Sequence, residues 1–183
     1  QYSPDGVKCL PCPYSSYNAK YGSPICSLCP AGRFGVGDSN VAMNRSSLES
    51  SCDLCPKGKF VTSDGASECQ NCPPGSYCEE EGMDIGNLCP VGTYTDEKCQ
   101  VACRNCPAGR YQSSIGSAKC SVCPKGKHNS VERATNKSAC LDCSRGRYAR
   151  EVGLANCTTC STGQFATLIG QTECQVCADV YGA

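Results

Sequence analysis

Hydrophobic and polar positions along this chain follow a repeat of about 17 residues, which is set by pairs of cysteines. Each copy reads C-x-x-C-P-x-G-x-aromatic, then four residues, then G-x-x-x before the next copy. Pro-x-Gly predicts a turn, because proline presets φ and glycine supplies a positive φ. The aromatic predicts the start of a short strand, and the second glycine predicts a return turn. Each copy is therefore predicted to be a two-stranded hairpin, too small to be stable alone.

Ten copies of this unit follow one another, and the last is cut short. In the middle of the chain, one copy is recognisable although Gly86 replaces its first cysteine and only Cys89 remains. Repeats of this kind contact only their neighbours. The expected architecture is an elongated rod of small disulfide-rich hairpins, with little helix and no single large core. The CxxC pairs begin at Cys9, Cys26, Cys52, Cys69, Cys103, Cys120, Cys140, Cys157 and Cys174.

Irregular spacings divide the array into four predicted blocks. Residues 1–51 hold a repeat pair with a long polar loop at 35–51, and residues 52–102 hold a pair plus an irregular copy around Cys78 and Cys99. Residues 103–139 hold a further pair, and residues 140–183 hold a pair plus the truncated copy. We expect both the long loop and the lengthened loop from Asn129 to Ala139 to lie on the surface. An altered bridge in the irregular copy is expected to bend the rod.

The composition explains how such a chain is stabilised. Of its 183 residues, 21 are cysteine, three are phenylalanine and none is tryptophan. This content cannot fill one large apolar core, so disulfides are the expected staples, and they imply an oxidising, extracellular or cell-surface compartment. The start of the chain, QYSPDGVK, is not a signal peptide, and the repeat is still running near Ala183. We therefore expect an internal piece of a longer protein.

Charge and candidate chemistry exclude several classes of function. Lys and Arg number 17, as do Asp and Glu, and no basic patch or amphipathic basic helix predicts binding to nucleic acid or a membrane surface. No apolar run has transmembrane length. The single histidine, His128, stands at the aromatic position of its copy, where we expect a side chain packed as a lid on a disulfide or on the next repeat. An enzyme, a metal site and a cofactor are not predicted.

The role and pairing of the cysteines leave alternatives. Zinc is one, because two CxxC knuckles supply four thiolates, whereas redox catalysis lacks its βαβ context. We favour disulfides. The 17-residue step suggests interleaved bridges, with Cys78–Cys89 as the irregular pair and Cys174 and Cys177 left for a further copy. The rival is a chain that begins with Cys12–Cys26 and Cys29–Cys52. The interleaved pairs are Cys9–Cys26, Cys12–Cys29, Cys52–Cys69, Cys55–Cys72, Cys103–Cys120, Cys106–Cys123, Cys140–Cys157 and Cys143–Cys160.

Three sequons are candidates for N-glycosylation in a secreted chain, and they begin at Asn44, Asn136 and Asn156. Asn44 and Asn136 lie in the two lengthened loops, where a glycan has room. Asn156 is the weakest candidate, because the next residue is a cysteine that we expect to be bridged.

Several phrases of the repeat carry a family resemblance. CPAGRF, CPKGKF, CPPGSYC, CPVGTY and CPAGRYQSSIGSAKCSVCPKG resemble the ephrin-receptor-like cysteine-rich repeats, and are more loosely similar to tumour-necrosis-factor-receptor and EGF-like modules. The resemblance covers the chain from Cys9 to Cys177. It implies a disulfide-bonded, extracellular protein. Such repeats occur in receptor ectodomains, in secreted matrix-type proteins, and on protist and algal surfaces, including mastigoneme-like flagellar filaments.

Two functions follow from these observations. The first is a non-enzymatic structural segment, a rod or filament building block of a cell-surface glycoprotein that contacts protein partners or copies of itself. The second is a ligand-binding receptor ectodomain, for which Glu79 to Glu81 offers a candidate acidic patch, although we prefer to interpret this run as a solvated turn. The irregular stretch from Cys78 to Cys103 and the loop from Gly35 to Ser51 are the expected places for any specific contact.

Overall fold

The structure is a computed structural model, and it describes residues 11–20, 23, 25–37 and 45–177. In these ranges the chain forms nine two-stranded sheets, each made by two strands consecutive in sequence, and their pairings are antiparallel wherever the register is defined. The predicted array of hairpins is therefore confirmed. The hairpins are β1 (Ser16–Tyr17) with β2 (Ser27–Leu28), β3 (Arg33–Gly35) with β4 (Cys52–Leu54), β5 (Lys59–Phe60) with β6 (Gln70–Asn71), β7 (Ser76–Tyr77) with β8 (Asn87–Leu88), β9 (Thr93–Tyr94) with β10 (Arg104–Asn105), β11 (Arg110–Tyr111) with β12 (Ser121–Val122), β13 (Lys127–His128) with β14 (Leu141–Asp142), β15 (Arg147–Tyr148) with β16 (Thr158–Thr159), and β17 (Gln164–Phe165) with β18 (Gln175–Val176).

Two helices have both ends within the described residues, and each is a single turn in a lengthened loop. Helix α1 (Leu48–Ser51) begins after Ser47, whose side chain accepts a hydrogen bond from the Ser50 N–H in a capping box. A 3-10 helix (Lys137–Ala139) begins after Asn136, whose side chain caps the Ser138 N–H. The extra residues of each loop are thus wound into a capped turn directly before a closing cysteine.

The Pro-x-Gly turn precedes each hairpin. The Arg33 N–H donates to the Pro30 carbonyl at 3.0 Å, and Gly32 between them has φ of +82°, the geometry of a type II turn. Proline therefore stands at the first position of the turn and not at the second, where its fixed φ would matter. This explains why the turn persists where serine replaces proline. The Arg147 N–H donates to the Ser144 carbonyl at 3.0 Å in the same way.

The chain forms two compact units, and each is built from the same hairpins. The first unit holds residues 1–87 and 97–102, and the second unit holds residues 88–96 and 103–183. The division into blocks at residues 52, 103 and 140 stays a prediction. No helix in the described ranges is long and apolar enough to cross a membrane.

Burial recurs at a few positions of each repeat, so no single large core forms. One position is the opening cysteine that follows the second strand of a hairpin, such as Cys29 and Cys55, which are fully buried. Another is the residue directly after the aromatic, which is buried as Val61, Thr95 or Asn129. The aromatics themselves are only half-buried. The core is therefore a series of small sites, each holding one disulfide and one short side chain.

Candidate functional site

The disulfides form a simple chain along the sequence. The second cysteine of a CxxC opens a repeat, and the first cysteine of the next CxxC closes it. Each described repeat except one is bridged from its opening to its closing cysteine, and the paired Cα atoms are 5.5–6.3 Å apart over all nine bridges. The bridges are Cys12–Cys26, Cys29–Cys52, Cys55–Cys69, Cys72–Cys78, Cys89–Cys103, Cys106–Cys120, Cys123–Cys140, Cys143–Cys157 and Cys160–Cys174.

The interleaved pairing was wrong, and the rival chain is the observed one. The two cysteines of a CxxC flank a two-residue strand, as Cys26 and Cys29 flank β2. Side chains alternate between faces along an extended chain, so residues three apart point to opposite sides. The first cysteine of a CxxC therefore bonds to the preceding CxxC and the second bonds to the following one. Interleaving would need both to bond to the same neighbouring CxxC. The structure thus replaces Cys9–Cys26, Cys12–Cys29, Cys52–Cys69, Cys55–Cys72, Cys103–Cys120, Cys106–Cys123, Cys140–Cys157 and Cys143–Cys160.

The irregular copy lacks a closing cysteine, and another cysteine of the same repeat takes its place in the bridge. The predicted Cys78–Cys89 bridge was wrong, because Cys78 bonds to Cys72 and Cys89 bonds to Cys103. A Cβ placed on Gly86 would lie 3.3 Å from the Cys72 sulfur and 3.4 Å from the Cys78 sulfur. The sulfur of Cys78, which follows the opposite strand, therefore lies close to where the side chain of a closing cysteine at position 86 would be. Gly86 has no side chain and leaves this space free.

The remaining cysteines are few. Cys99 and Cys177 are exposed free thiols, and Cys9 lies outside the described residues. Cys174, which interleaving had reserved for a further copy, bonds to Cys160. Because the sulfurs of the described CxxC knuckles are joined in pairs, apart from that of Cys177, those knuckles do not supply the four thiolates that the zinc alternative requires.

Successive repeats are joined by backbone hydrogen bonds of three recurring kinds. In the first kind, the turn glycine donates its N–H to the residue after the aromatic of the next repeat, as Gly109 does to the Asn129 carbonyl at 2.6 Å. In the second, the return turn donates to the preceding repeat's opening cysteine, as Gly153 does to the Cys123 carbonyl at 2.8 Å. In the third, the residue after the aromatic donates its N–H to the residue after the next repeat's return-turn glycine, as Gln112 does to the Ala134 carbonyl at 2.9 Å, where Arg133 stands in for that glycine.

These bonds recur in both compact units. The first kind is also made by Gly32, Gly58, Gly92, Gly126 and Gly146, the second by Gly65, Gly82, Gly116 and Gly170, and the third by Gly35, Val61, Cys78, Thr95, Asn129 and Ala149. A net contribution of about 0.5–1.5 kcal/mol for one hydrogen bond gives roughly 2–4 kcal/mol for three. The junction between repeats is therefore made mainly by main-chain atoms, and its strength depends little on side-chain identity.

The turn glycines also allow a close approach between repeats two apart. A Cβ on Gly58 would lie 2.5 Å from the Cys99 carbonyl oxygen, and one on Gly109 would overlap the Gly153 carbonyl. Among the described residues, nothing lies within 4 Å of the equivalent positions on Gly146 and Gly163, for which the repeat two further along falls outside those residues. Where a described repeat covers the turn, glycine at this position thus serves two needs, which are positive φ and clearance.

Three non-glycine residues in the described ranges have positive φ, and each stands where the repeat calls for glycine. Ser15 (φ +58°) occupies the turn position of its copy, and Cys99 (φ +61°) and Arg133 (φ +57°) occupy return turns. Both return turns keep their bond, since the Cys99 N–H donates to the Cys72 carbonyl at 3.0 Å and the Arg133 N–H to the Cys106 carbonyl at 2.8 Å. The additional cysteine of the irregular copy is therefore a return-turn residue, which the missing glycine in the sequence could have revealed.

The predicted lid positions are half-buried, and their packing on the disulfides stays a prediction. His128 pairs with Leu141 in its hairpin, and its Nδ1 lies 3.3 Å from the Ala155 carbonyl oxygen. The ring is held by the next repeat, as a lid variant would be. The acidic run begins with Glu79, whose carboxylate accepts a bond from the Asn87 side-chain amide at 3.4 Å.

Two of the three sequons lie in the described residues, and their surroundings differ. Asn136 is exposed in the lengthened loop, where its Oδ1 accepts hydrogen bonds from both the N–H and the hydroxyl of Ser138. Asn156 is also exposed, but Cys157 is bridged and Thr158 pairs with Tyr148 in a hairpin. Asn44 lies outside the described residues.

Comparison with known proteins identifies one family. Residues 92–140 match the sequence model of the family described as tyrosine-protein kinase ephrin type A/B receptor-like. This segment runs from a turn glycine through the Cys106–Cys120 repeat to the closing cysteine of the next one. The same hairpin and bridge recur on both sides of it. No curated protein matches the chain.

Proposed function

We propose, on the premise that the chain is an array of ephrin-receptor-like cysteine-rich repeats, that it serves as a structural segment of an extracellular or cell-surface glycoprotein. Modules of this type are non-catalytic parts of ectodomains. In this function the array is a spacer or filament building block, and its protein contacts are with partners or with copies of itself.

One observation carries the proposal, which is the continuity of the junctions. Consecutive repeats within each compact unit are linked by main-chain hydrogen bonds of the same kinds, and each repeat has its own disulfide. A load along the chain is then shared between many equivalent small contacts. This arrangement suits a spacer more than a binding pocket, since it repeats the same surface instead of concentrating unlike side chains at one place.

The bridges and one sequon support the extracellular location. Nine disulfides persist only in an oxidising compartment, and exposed N-glycans are added to chains that pass through it. We propose Asn136 as the glycan site of the described sequons, because it is exposed in a lengthened loop. Asn156 is held next to a bridge and a paired strand.

The experiment is cross-linking of the parent protein in place on intact cells, followed by mass spectrometry of peptides separated without reduction. The structural role predicts recurrent cross-links between copies of this array, or to one lattice partner, along many repeats. A stoichiometric complex with a single soluble ligand, confined to one repeat, contradicts it. Free thiols at Cys106 and Cys120 in the recovered peptides would contradict the extracellular assignment as well.

A ligand-binding ectodomain is the second candidate, and the family match favours it, since the family is described by receptors. It predicts saturable binding of one soluble protein to the isolated array. The same cross-linking experiment separates the two functions, because a receptor gives cross-links at one patch and a spacer gives them along the array.

A further inference from the structure

An open groove lies beside the β3–β4 hairpin of the first unit, and both apolar and acidic residues line it. Its volume is about 480 Å³, and Phe34 and Leu54 form part of its lining. The carboxylates of Glu49, Asp53 and Glu81 line it as well. All three acidic residues are exposed, and no ion pair joins them to another side chain in the part of the chain that the structure describes. The groove therefore offers three carboxylates without an ion-pair partner beside apolar side chains.

The groove also contains one cation, and its position leaves the carboxylates available. The guanidinium of Arg33 donates from Nη1 to the Cys52 carbonyl at 2.9 Å, so it is committed to the backbone of the neighbouring strand. With three carboxylates and one guanidinium, the formal charge of the lining is −2. A complementary occupant is a basic segment with some apolar surface.

The chain itself carries a segment of this kind, because its zero net charge conceals a separation between the two units. The first unit contains seven Lys and Arg and eleven Asp and Glu, which gives a net charge of −4. The second unit contains ten Lys and Arg and six Asp and Glu, which gives +4. Two copies of the chain therefore attract each other when the first unit of one copy faces the second unit of the other.

The β15 hairpin of the second unit presents the densest exposed basic segment. Arg145, Arg147 and Arg150 are all exposed, and Val152 beside them is 49% exposed. No ion pair occupies the three guanidinium groups among the described residues, whereas Lys127 in the preceding repeat is paired with Asp142 at 2.7 Å. Three cations without an ion-pair partner next to an exposed valine match the acidic and apolar residues that line the groove.

We propose that copies of this chain associate head to tail, with the Arg145–Arg150 segment of one copy seated in the Phe34–Leu54 groove of the next. The inference rests on the proposed structural role and adds to it the contact that joins the copies. An arginine placed over Phe34 gains a cation–π contact, while its neighbours meet the carboxylates that line the groove. Because this contact is heterologous, it leaves one groove and one basic segment unused at the ends, and the assembly grows.

Exposed charge pairs are individually weak and are screened by salt. The association is therefore expected to reverse on dilution and to depend strongly on ionic strength. Sedimentation velocity of the disulfide-intact chain at low salt (about 20 mM NaCl) and at high salt (about 500 mM NaCl), on either side of the range where screening sets in, measures this directly. We expect a concentration-dependent rise of the weight-average sedimentation coefficient at low salt and monomer at high salt.

Two charge-neutralised variants and their matched controls identify the surfaces. The groove variant is Glu49→Gln, Asp53→Asn and Glu81→Gln, and its control removes three exposed carboxylates of the same unit outside the groove, with Glu68→Gln, Glu80→Gln and Asp84→Asn. The basic variant neutralises the three arginines to Gln, and its control is Lys119→Gln, Lys125→Gln and Lys137→Gln. Each test variant should lower the association constant at low salt at least tenfold, and each control should change it less than threefold.

Mixing the groove variant with the basic variant gives the sharpest test. Each retains one intact surface, so the mixture should form a one-to-one dimer and nothing larger, although neither variant associates alone. Monomer at low salt for the unmodified chain overturns the proposal, as does equal weakening by test and control variants, which reports net charge alone. If the chain stays monomeric yet cross-links between copies are found on cells, the structural role stands and only this contact is wrong.

Discussion

The substitution Gly109→Ala tests a close backbone approach between two repeats. Gly109 has φ of +82°, and a Cβ there would overlap the carbonyl oxygen of Gly153, two repeats further along the chain. Gly146 occupies the same position of another repeat with φ of +75°, and in the described part of the 183-residue chain nothing lies within 4 Å of its Cβ position. The pair therefore separates the cost of left-handed backbone from the cost of lost clearance.

The magnitude follows from these two costs. An L-residue held in the left-handed region costs about 1–2 kcal/mol, and both alanine variants incur this. Overpacking of a well-packed contact adds about 1–3 kcal/mol, and only the alanine at position 109 incurs it. We expect a loss of about 1–2 kcal/mol at position 146 and about 2–5 kcal/mol at position 109, provided that the disulfides are intact.

The assay is hydrogen exchange by mass spectrometry under native, non-reducing conditions, since local stability in a repeat array is read best locally. For each variant, exchange is compared with that of the same peptide in the unmodified chain. The acceleration at the Gly109 and Gly153 turns in Gly109→Ala should be about 5–150 times larger than the acceleration around position 146 in Gly146→Ala, as a difference of about 1–3 kcal/mol implies. Peptides distant from each substitution are the internal control. Equal acceleration in both variants would refute the close approach between these repeats.

Three further substitutions test the other features of the repeat. The double variant Cys78→Ser with Gly86→Cys restores the spacing of the regular copies. Non-reducing peptide mapping should find Cys72 bridged to the introduced cysteine. A free Cys72 would contradict the inference that Cys78 takes the place of a closing cysteine at position 86. Arg133→Gly relieves a left-handed residue and should stabilise the fold by about 0.5–1 kcal/mol in thermal unfolding without reduction, whereas a loss of stability would show that the arginine side chain matters more. Asn136→Gln should lower the mass of the secreted protein by one glycan, and an unchanged mass disproves occupancy; the same change at the other described sequon should leave the mass unaltered.

The sequence predicts the repeat well because its marks are local. A glycine three residues after a cysteine predicts a turn with positive φ, and Gly32 has it. The two-residue strand next to a cysteine likewise depends only on residues near it in the sequence. The position of Gly86 as a lost cysteine was likewise visible in the spacing. The disulfide partners were not, because the 17-residue step is equally compatible with both pairings, and only the alternation of faces across a strand such as β2 selects between them.

The buried position after the aromatic shows what sequence reasoning misses. This position holds Val61, Thr95, Gln112 or Asn129, so hydrophobicity gives no sign that it is buried. The position is held against the neighbouring repeat by hydrogen bonds of its backbone N–H and C=O groups, and every one of these residues has both groups. The aromatic side chain is the more conspicuous feature of the sequence, yet it is only half-buried, and the residue that follows it is the more buried of the two. The groove beside β3 was missed for a related reason, since Glu49 and Glu81 are distant in the sequence.

The main-chain character of the junctions has a consequence for how such an array changes length. Because each junction within a unit uses the same donors and acceptors whatever the side chains, a whole copy can be duplicated or removed and the new neighbours still find matching partners. The bridges allow this too, since each described one closes within its own repeat, counted from the opening to the closing cysteine, and leaves no unpaired sulfur behind. The irregular copy is similarly self-contained, with its sulfur supplied from six residues away. Recombination between copies is therefore tolerated, and genes for such arrays are expected to vary in copy number while the individual copies drift in sequence.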